Sequence, residues 1–336
     1  MKHLFAFTFI ALLLSSCSAI VPEYEKINGV SFVAARDSIS QKHIDPVINV
    51  SANYAAVMPF GFIRDLQSPE IIHNTKRQWF GETRDGAQQY IEHLHSNNIK
   101  VMIKPQIWIW RGEFTGHLKM ETEENWKTLE ASYESFILEY AKLAEDIRAE
   151  MFCIGTELNS FVSERPEFWN QLIKKIQDVY KGKLTYAENW DTFAKVPFWK
   201  ELDFIGIDAY FPLSEERTPT KEALKIGWQP HKDKIIDLHM AVDKPILFTE
   251  YGYRSTNFTA KEPWDSNHEI IDVNLEGQTT ALHVLYEEFW QEDWFAGGFI
   301  WKWFHAHDRV GGNEDSQFTP QNKPAEELIK EVYKFN

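Results

Sequence analysis

The chain has 336 residues, of which 43% are hydrophobic and 25% are charged, and its formal net charge is -15. This length and composition are typical of a globular protein with one large core, and they exclude disorder as the default state. The acidic balance would repel a phosphate backbone, which argues against a nucleic-acid partner.

The first predicted element is an export signal. Behind MKH lies the apolar run LFAFTFIALLL, which is too short for a stable membrane span but has the length of a signal-peptide core. The run ends in LSSC at residues 14–17, which resembles the bacterial lipobox. This resemblance implies that Cys17 is lipidated and that the chain is an exported bacterial lipoprotein, anchored to the outer membrane or the cell surface. An ordinary cleaved signal peptide with an incidental cysteine is the alternative.

We therefore expect a signal peptide over residues 1–17, a short tether over 18–26 and a single folded domain over 27–336. The second cysteine, Cys153, lies in the apolar run MFCIG and is expected to be a small core residue. Lipidation of Cys17 would leave Cys153 no partner for a disulfide within the chain.

Eight strand candidates follow along the chain, each a short run of apolar, β-branched or aromatic residues. They cover residues 29–34, 54–60, 100–109, 151–158, 184–190, 204–211, 245–252 and 297–304. Segments with helical spacing follow most of them, at residues 85–98, 124–150, 166–182, 193–202, 232–242, 279–294 and 324–335. This alternation predicts an α/β protein, a single (β/α)8 TIM barrel. A doubly wound open sheet is the alternative, but the chain has no GxGxxG or GxxxxGKS pattern.

Two of the predicted strands end in a glutamate. Glu157 follows MFCIGT in the fourth strand, and Glu250 follows PILFT in the seventh. In a (β/α)8 barrel the carboxyl ends of the strands form the functional face, and these two strands lie across its mouth. Two facing carboxyls are what a retaining glycosidase needs, one as nucleophile and one as acid/base. A glutamate at a strand end can also cap a helix, pair with arginine or be solvated.

The segments IGTEL and FTEYGYRS around these glutamates resemble glycoside hydrolase family 113, the endo-β-1,4-mannanases of clan A. KPQIW on the third strand and GIDAYFP on the sixth belong to the same resemblance, which extends from NGVSF to GGFIWKW. It implies a retaining hydrolase that cleaves β-1,4-mannosidic linkages in mannan or manno-oligosaccharides without a cofactor. It further implies Glu157 as acid/base and Glu250 as nucleophile. Another β-glycan is the alternative substrate.

Polar side chains near the predicted mouth are candidate sugar ligands. Much of the clan has an asparagine directly before the acid/base, whereas this chain has Thr156, whose hydroxyl is expected to bind the sugar 2-OH. Asn189 or Asn159 could supply an amide instead. Lys104 and Gln106 on the third strand point the same way and are expected to donate to sugar hydroxyls. A charged network in the barrel core is the alternative for both.

Two residues of the sixth strand complete the polar set. Tyr210 is expected to donate to the carboxylate of Glu250 and to hold it ionised. Asp208 is expected to line the pocket, with a hydrogen bond inside the barrel as the alternative.

Tryptophans surround the predicted mouth. Trp108 and Trp110 end the third strand, Trp190 ends the fifth, and Trp301 and Trp303 share one face of the alternating eighth strand. Aromatic faces stack on sugar rings as well as filling cores. We expect Trp108, Trp190, Trp301 and Trp303 to bind substrate, with core filling as the alternative.

Other functions have weaker support in the sequence. HAHD at residues 305–308 and the histidines at 93 and 95 could suggest a metal site, but no matching ligands end the other strands, so no metal is expected. No GxSxG elbow supports a serine hydrolase. A surface lipoprotein that binds glycan without cleaving it is the alternative from a different class.

Overall fold

The computed structural model of the protein describes residues 25–267 and 272–335. The predicted signal peptide with Cys17 and most of the predicted tether lie outside these residues. Within them, eight parallel strands close into a barrel, in the order β1-β2-β4-β6-β7-β8-β9-β10, and β3 pairs with β5 in a separate small sheet. The strands are β1 (Ile27–Phe32), β2 (Tyr54–Val57), β3 (Phe60–Ile63), β4 (Lys100–Ile103), β5 (Gln106–Ile109), β6 (Met151–Thr156), β7 (Lys183–Asn189), β8 (Ile205–Asp208), β9 (Ile246–Tyr251) and β10 (Phe295–Trp303).

Helices surround the barrel and confirm the predicted (β/α)8 fold. They are α1 (Gln41–Asn49), α2 (Arg84–His95), α3 (Glu123–Asp146), α4 (Asn159–Glu164), α5 (Pro166–Val179), α6 (Lys221–Val242), α7 (Leu275–Phe289) and α8 (Pro324–Phe335). None of these described helices combines the length and the apolar character needed to cross a membrane.

The second and third predicted strands are each divided in two by a proline. Pro59 separates β2 from β3 and Pro105 separates β4 from β5, because proline has no amide hydrogen for the strand ladder. The second halves, β3 and β5, pair with each other, in register from Phe60 opposite Gln106, and Phe62 of β3 also bridges to Ile72. Gln106 therefore belongs to the small sheet beyond the barrel and not to the barrel wall.

The helix predictions need several corrections, and the short helix α4 after β6 is one that was not predicted. Residues 193–202 form two single 3-10 turns in place of an α-helix, because Pro197 interrupts the segment. The helix predicted at 232–242 begins at Lys221, after the cap residue Thr220. The helix α1, which follows β1, was not predicted; its sequence QKHIDPVIN contains a proline.

Apolar residues fill the space on both sides of the barrel wall. A large core lies between the strands and the helices. A smaller cluster fills the barrel interior and includes Cys153 together with Met102, Met151, Leu247 and Phe299. Cys153 is fully buried and has a free thiol, as predicted for a core residue. The charged residues Lys104, Asp208 and Glu250 lie further along the strands, toward their carboxyl ends.

Candidate active site

The two strand-end glutamates lie at the same mouth of the barrel. Glu250 is the fifth residue of β9, and Glu157 directly follows β6. Glu250 is buried, with 7% of its surface exposed, whereas Glu157 is half-buried. Because all barrel strands run parallel, both side chains are at the carboxyl-terminal face, where the loops leave the barrel.

β-bulges mark the strand ends at this mouth. One extra residue lies in β6 between Cys153 and Thr156, and another lies in β9 between Phe248 and Glu250, relative to the neighbouring strands. A bulge interrupts the alternation of side chains and re-aims the residues beyond it. The bulge in β9 lets Thr249 and Glu250, which are adjacent in sequence, both contact groups inside the barrel.

The backbone of Glu157 turns sharply out of β6. Its φ of 50° lies in the left-handed region, which costs a residue other than glycine about 1–3 kcal/mol. Two hydrogen bonds to β7 hold the turn: Glu157 N donates to the Ala187 carbonyl at 2.7 Å, and Leu158 N donates to the Tyr186 hydroxyl at 2.8 Å. The position of the Glu157 carboxyl is therefore set by the neighbouring strand.

Three donors hold the carboxyl of Glu250, one directly after β4, one at the start of β5 and one shortly after β8. Lys104 Nζ lies 2.5 Å from Oε1, Gln106 Nε2 donates to the same oxygen at 3.2 Å, and the Tyr210 hydroxyl donates to Oε2 at 2.8 Å. Burial, followed by the charge of Glu250, raises the pKa of Tyr210 well above its ordinary value, so the phenol keeps its proton. This environment, with a donor at each oxygen and a cation beside one of them, suits a carboxylate.

Lys104 also contacts a second carboxyl. Its ammonium nitrogen lies 3.2 Å from Asp208 Oδ1, which accepts a further hydrogen bond from the Thr249 hydroxyl at 2.7 Å. Burial alone would lower the pKa of Lys104, but the charges of Asp208 and Glu250 outweigh it and raise the value. Burial, assisted by the charge of Glu250, raises the pKa of Asp208 to about 7. We call Lys104, Asp208 and Glu250 the charge cluster.

Two members of the charge cluster correct the sequence-based expectation. Lys104 and Asp208 are both 0% exposed, so neither side chain is accessible to a sugar at the mouth. They form the alternative arrangement, a hydrogen-bonded network inside the barrel. Their effect on a ligand would therefore be indirect, through the carboxyl of Glu250.

Glu157 has the opposite environment from Glu250. Burial raises the pKa of Glu157 well above its ordinary value, and the charges of Asp208, Glu250 and Glu188 raise it further, against an opposing effect of Lys104. Among the described residues, no side chain donates a hydrogen bond to the Glu157 carboxyl. The two glutamates are thus differentiated: Glu157 favours the protonated acid, and Glu250 is surrounded by donors.

Glu188 on β7 was not among the predicted site residues. It is buried and accepts hydrogen bonds from the Tyr186 hydroxyl at 3.2 Å, from Asn189 N at 2.9 Å and from the Thr192 hydroxyl at 2.9 Å. Burial raises the pKa of Glu188, against these hydrogen bonds. The Tyr186 hydroxyl also accepts a hydrogen bond from Leu158 N. Through Tyr186, Glu188 therefore stabilises the turn that carries Glu157. In the sequence TYAENW, the position at the strand end predicts Asn189, and not Glu188, as the site residue.

Two residues expected to bind the sugar 2-OH are near Glu157. The Thr156 hydroxyl oxygen is buried and makes no hydrogen bond to the described residues. Asn189 is half-buried, and its amide donates to Asp191 Oδ1 at 2.9 Å. The Thr156 oxygen is thus enclosed and not accessible at the mouth, and the Asn189 amide is already engaged, so neither is free to bind the sugar 2-OH in this arrangement.

The predicted aromatic residues separate into exposed and buried ones. Trp108 is 49% exposed on β5, and Trp190 and Trp301 are half-buried at the ends of β7 and β10. Trp190 stacks on Trp264, a residue that was not predicted, with ring centroids 5.1 Å apart and 19° between the planes. Trp264 is itself 43% exposed. These four rings present apolar faces on which sugars can stack.

Trp303 does not belong with these rings. It is 0% exposed and packs in the core between barrel and helices. The reason is a bulge: β10 has one extra residue between Ile300 and Trp303 relative to β1, so the period-two alternation is interrupted there. Trp301 and Trp303 therefore do not share a face, and the expectation that both would contact substrate is wrong for Trp303.

The histidines that suggested a metal site contact acidic residues elsewhere. His307 Nε2 lies 2.6 Å from Glu326 Oε1, and His95 Nε2 lies 3.2 Å from Glu150 Oε2. Over residues 25–267 and 272–335, no group of three or more histidine, cysteine, aspartate or glutamate side chains is placed to hold a metal ion. Within this part of the chain, the HAHD segment therefore lacks the additional side chains that a metal site would need.

A (β/α)8 barrel with two differentiated carboxyls at its mouth defines the class of glycoside hydrolases. The sequence profile of glycoside hydrolase family 113 matches residues 34–323. The chain belongs to glycoside hydrolase family 113, which confirms the resemblance of its IGTEL and FTEYGYRS segments. No curated protein matches the chain.

Solved structures of similar fold cover nearly the whole chain. One is described as a complex structure of GH113 β-1,4-mannanase; it is 22% identical, has a TM-score of 0.80, and the match covers 93% of this chain and 100% of that one. Another is the GH113 β-mannanase AaManA from Alicyclobacillus acidocaldarius in complex with ManMIm. It is 22% identical, has a TM-score of 0.79, and the match covers 93% of this chain and 98% of that one. A Faecalibacterium prausnitzii β-glucuronidase is 16% identical, with a TM-score of 0.62 and coverage of 92% and 49%. These likenesses show the fold.

Proposed function

We propose that the protein is a retaining glycoside hydrolase that cleaves β-1,4-mannosidic linkages by double displacement. The observation that carries this proposal is the contrast between the two carboxyls at the mouth. Glu250 has hydrogen-bond donors at both oxygens, and the pKa of Glu157 is raised by burial and by neighbouring carboxylates. A carboxylate nucleophile and a protonated acid are the two groups that the first step of a retaining mechanism requires.

In the first step the Glu250 carboxylate attacks the anomeric carbon while Glu157 donates its proton to the glycosidic oxygen. The carbon–oxygen bond to the leaving sugar breaks, and a glycosyl ester forms on Glu250. The negative charge of Glu250 is lost as the ester forms. Because that charge contributes to the raised pKa of Glu157, its loss lowers this pKa and prepares Glu157 for the next step.

In the second step Glu157, now a carboxylate, removes a proton from water. The water oxygen attacks the anomeric carbon, the ester bond breaks, and Glu250 is regenerated as a carboxylate. Two inversions at the same carbon give net retention of configuration. Lys104, Gln106 and Tyr210 orient the nucleophile and stabilise its charge when it is released.

β-1,4-Mannan or a manno-oligosaccharide is the substrate we propose. Membership of family 113 and the two mannanases among the structures of similar fold support this choice. The exposed faces of Trp108, Trp190, Trp264 and Trp301 are suited to stacking on several sugar rings of a chain.

We further propose that the enzyme is a membrane-anchored bacterial lipoprotein with lipid on Cys17. The support is the lipobox-like LSSC behind an apolar run of signal-peptide length. Replacement of Cys17 by alanine in the full chain should move the protein from the membrane fraction to the soluble fraction. Retention of the variant in the membrane fraction would contradict lipid anchoring.

The proposed activity is tested by reducing-sugar release and product chromatography on β-mannan, glucomannan, galactomannan, cellulose, xylan and β-galactan. The wild type should cleave the mannans, and the Glu250→Gln variant should not. Cleavage of another glycan by the wild type alone would keep the mechanism and replace the substrate. Glycan binding with no cleavage by either protein would favour a binding lipoprotein.

A further inference from the structure

Lys302 is a cation at the barrel mouth for which neither the fold nor the mechanism above provides a role. It lies at the bulge of β10, between Trp301 and Trp303. The same stretch of chain packs against the residues that follow Glu250: Ile300 pairs with Tyr251, and a Cβ added to Gly252 would lie 2.5 Å from the Trp301 carbonyl oxygen. Lys302 is thus held beside the segment that carries Glu250.

The contacts of Lys302 are aromatic. Its ammonium nitrogen lies 5.5 Å from the Trp301 ring centroid and 5.3 Å from that of Phe304. Within the part of the chain that the structure describes, Lys302 has no carboxylate within ion-pair distance and no hydrogen-bond acceptor. A cation over aromatic faces gains some electrostatic stabilisation, but the rings do not satisfy its three N–H donors.

Two other enclosed lysines near this end of the barrel are fully partnered. Lys104 binds Asp208 and Glu250, and Lys323 lies 2.7 Å from Asp315 Oδ1 and donates to the Ser255 hydroxyl and the Gln317 carbonyl. Enclosed charges are normally paired in this way, because an unsatisfied one is costly. Lys302 differs in that its donors have no hydrogen-bond or ion-pair partner among residues 25–267 and 272–335.

Electrostatics agree with a position at the site. Burial lowers the pKa of Lys302, and the charges of Glu250 and Asp315 oppose that effect. Glu250 is therefore near enough to act on the Lys302 ammonium without bonding to it. Lys302 thus lies over the ring of the half-buried Trp301, on the stretch of β10 that packs against the residues directly after Glu250.

We propose that Lys302 is a substrate-binding residue, whose ammonium donates to a hydroxyl oxygen of the sugar bound beside Glu250 and Trp301. A neutral sugar fits this role better than an acidic one, because the carboxylate of Glu250 beside it would repel an anionic sugar. The inference rests on the proposed glycosidase function and adds to it a contact made by the chain segment at the end of β10.

The test compares Lys302→Met, which keeps an unbranched stem but removes the ammonium, with Lys302→Arg and with a control, Lys330→Met. Lys330 is exposed on α8, so the control removes the same charge away from the site. Initial rates are measured on the glycan that the wild type cleaves best. The kcat/KM of Lys302→Met should fall about ten- to a hundred-fold, as for loss of a hydrogen bond from a charged donor. Lys302→Arg should recover part of this loss, and Lys330→Met should match the wild type.

Thermal unfolding separates this role from a structural one. The unfolding temperature of Lys302→Met should be no lower than that of the wild type, because the substitution removes a half-buried charge that has no partner among the described residues. An unchanged kcat/KM would overturn the proposal, as would a loss of activity matched by an equal loss of folded protein. If Lys302→Met does not fold, the Lys302→Gln variant, which keeps a donor on a shorter stem, is measured in its place, against the same expectation of a loss in kcat/KM.

Failure of the proposed function gives a different pattern. If the wild type cleaves no glycan, binding is measured in place of rates. Calorimetry then compares how the wild type and Lys302→Met bind the same panel of glycans. Weaker binding by Lys302→Met would support the contact in a binding protein, equal binding would overturn it, and absence of glycan binding by both would overturn the contact and the proposed function together.

Discussion

Lys104 lies beneath Glu250 in the barrel, with its ammonium nitrogen 2.5 Å from Glu250 Oε1. The same ammonium lies 3.2 Å from Asp208, so one fully buried cation serves two carboxyls. Taking three charged groups out of water is unfavourable unless each finds its partner. The position of Glu250 therefore depends on a residue that the substrate does not touch.

Replacement of Lys104 by methionine should destabilise the fold by about 3–5 kcal/mol, because two buried carboxyls lose their cation. Denaturant unfolding measures the change. The control is Lys119→Met, which removes an exposed ion pair with Glu164 of 2.7 Å and should cost at most about 1 kcal/mol. Equal losses in the two variants would show that the charge cluster has no special role in stability. The double variant Lys104→Met/Asp208→Asn should be less destabilised than Lys104→Met alone.

Replacement of Tyr210 by phenylalanine removes the donor to Glu250 Oε2 without changing the ring. We expect kcat/KM to fall about ten- to a hundred-fold, because a hydrogen bond to a charged group is lost at the proposed nucleophile. The matched control is Tyr180→Phe, which removes a hydrogen bond to the Ala149 carbonyl away from the mouth. That variant should lose stability and keep its kcat. The prediction fails if Tyr210→Phe and Tyr180→Phe have the same kinetic parameters.

The pH dependence of activity should respond to Glu188. Burial is the main cause of the raised pKa of Glu157, and the charge of Glu188 adds to it. In Glu188→Gln that charge is absent, while the amide oxygen can still accept from Tyr186. The basic limb of the kcat/KM profile, where Glu157 loses its catalytic proton, should move to lower pH. A basic limb at the wild-type position would rule out Glu188 as a modulator of the acid.

The stability of Glu157→Gln relative to the wild type should increase with pH. The pKa of Glu157 is raised in the folded state above its ordinary value of 4.5. At a pH below 4.5, Glu157 is therefore protonated in both the folded and the unfolded chain. Above 4.5 the unfolded chain ionises first and binds fewer protons than the folded chain, so the wild type loses stability as pH rises. Glutamine does not titrate and avoids this loss.

Unfolding free energies of Glu157→Gln and the wild type, measured from about pH 4 to pH 8, test this expectation. The exposed Glu121→Gln variant is the control and should show a constant difference. The unfolding free energy of Glu157→Gln minus that of the wild type should rise with pH. A value that stays constant or falls as pH rises would contradict the burial of this carboxyl as an acid.

The barrel and its two glutamates could be predicted because apolar runs and their spacing carry that information. Glu157 and Glu250 each interrupt an apolar run at a strand end, and this placement alone assigns them to one face of a (β/α)8 barrel. The two-part strands around Pro59 and Pro105 show the limit of the same reasoning. A proline breaks the ladder, but an apolar run continues across it.

The bulges explain most of what the sequence did not predict at the site. Alternation assigns Trp301 and Trp303 to one face, but the extra residue in β10 moves Trp303 into the core. The bulge in β9 likewise directs both Thr249 and Glu250 into the barrel. Bulges depend on how neighbouring strands fit around a closed barrel, and a single strand sequence does not encode that fit.

The measurement that tests the central claim most directly is mass spectrometry of Glu157→Gln after reaction with a 2,4-dinitrophenyl β-mannobioside. This leaving group needs no proton, so the first step should proceed, whereas the second step lacks its base. We predict a burst of dinitrophenolate and a mannobiosyl ester on Glu250, with neither in Glu157→Gln/Glu250→Gln. Absence of the ester in a folded, substrate-binding Glu157→Gln variant, or its presence on another residue, would contradict the account.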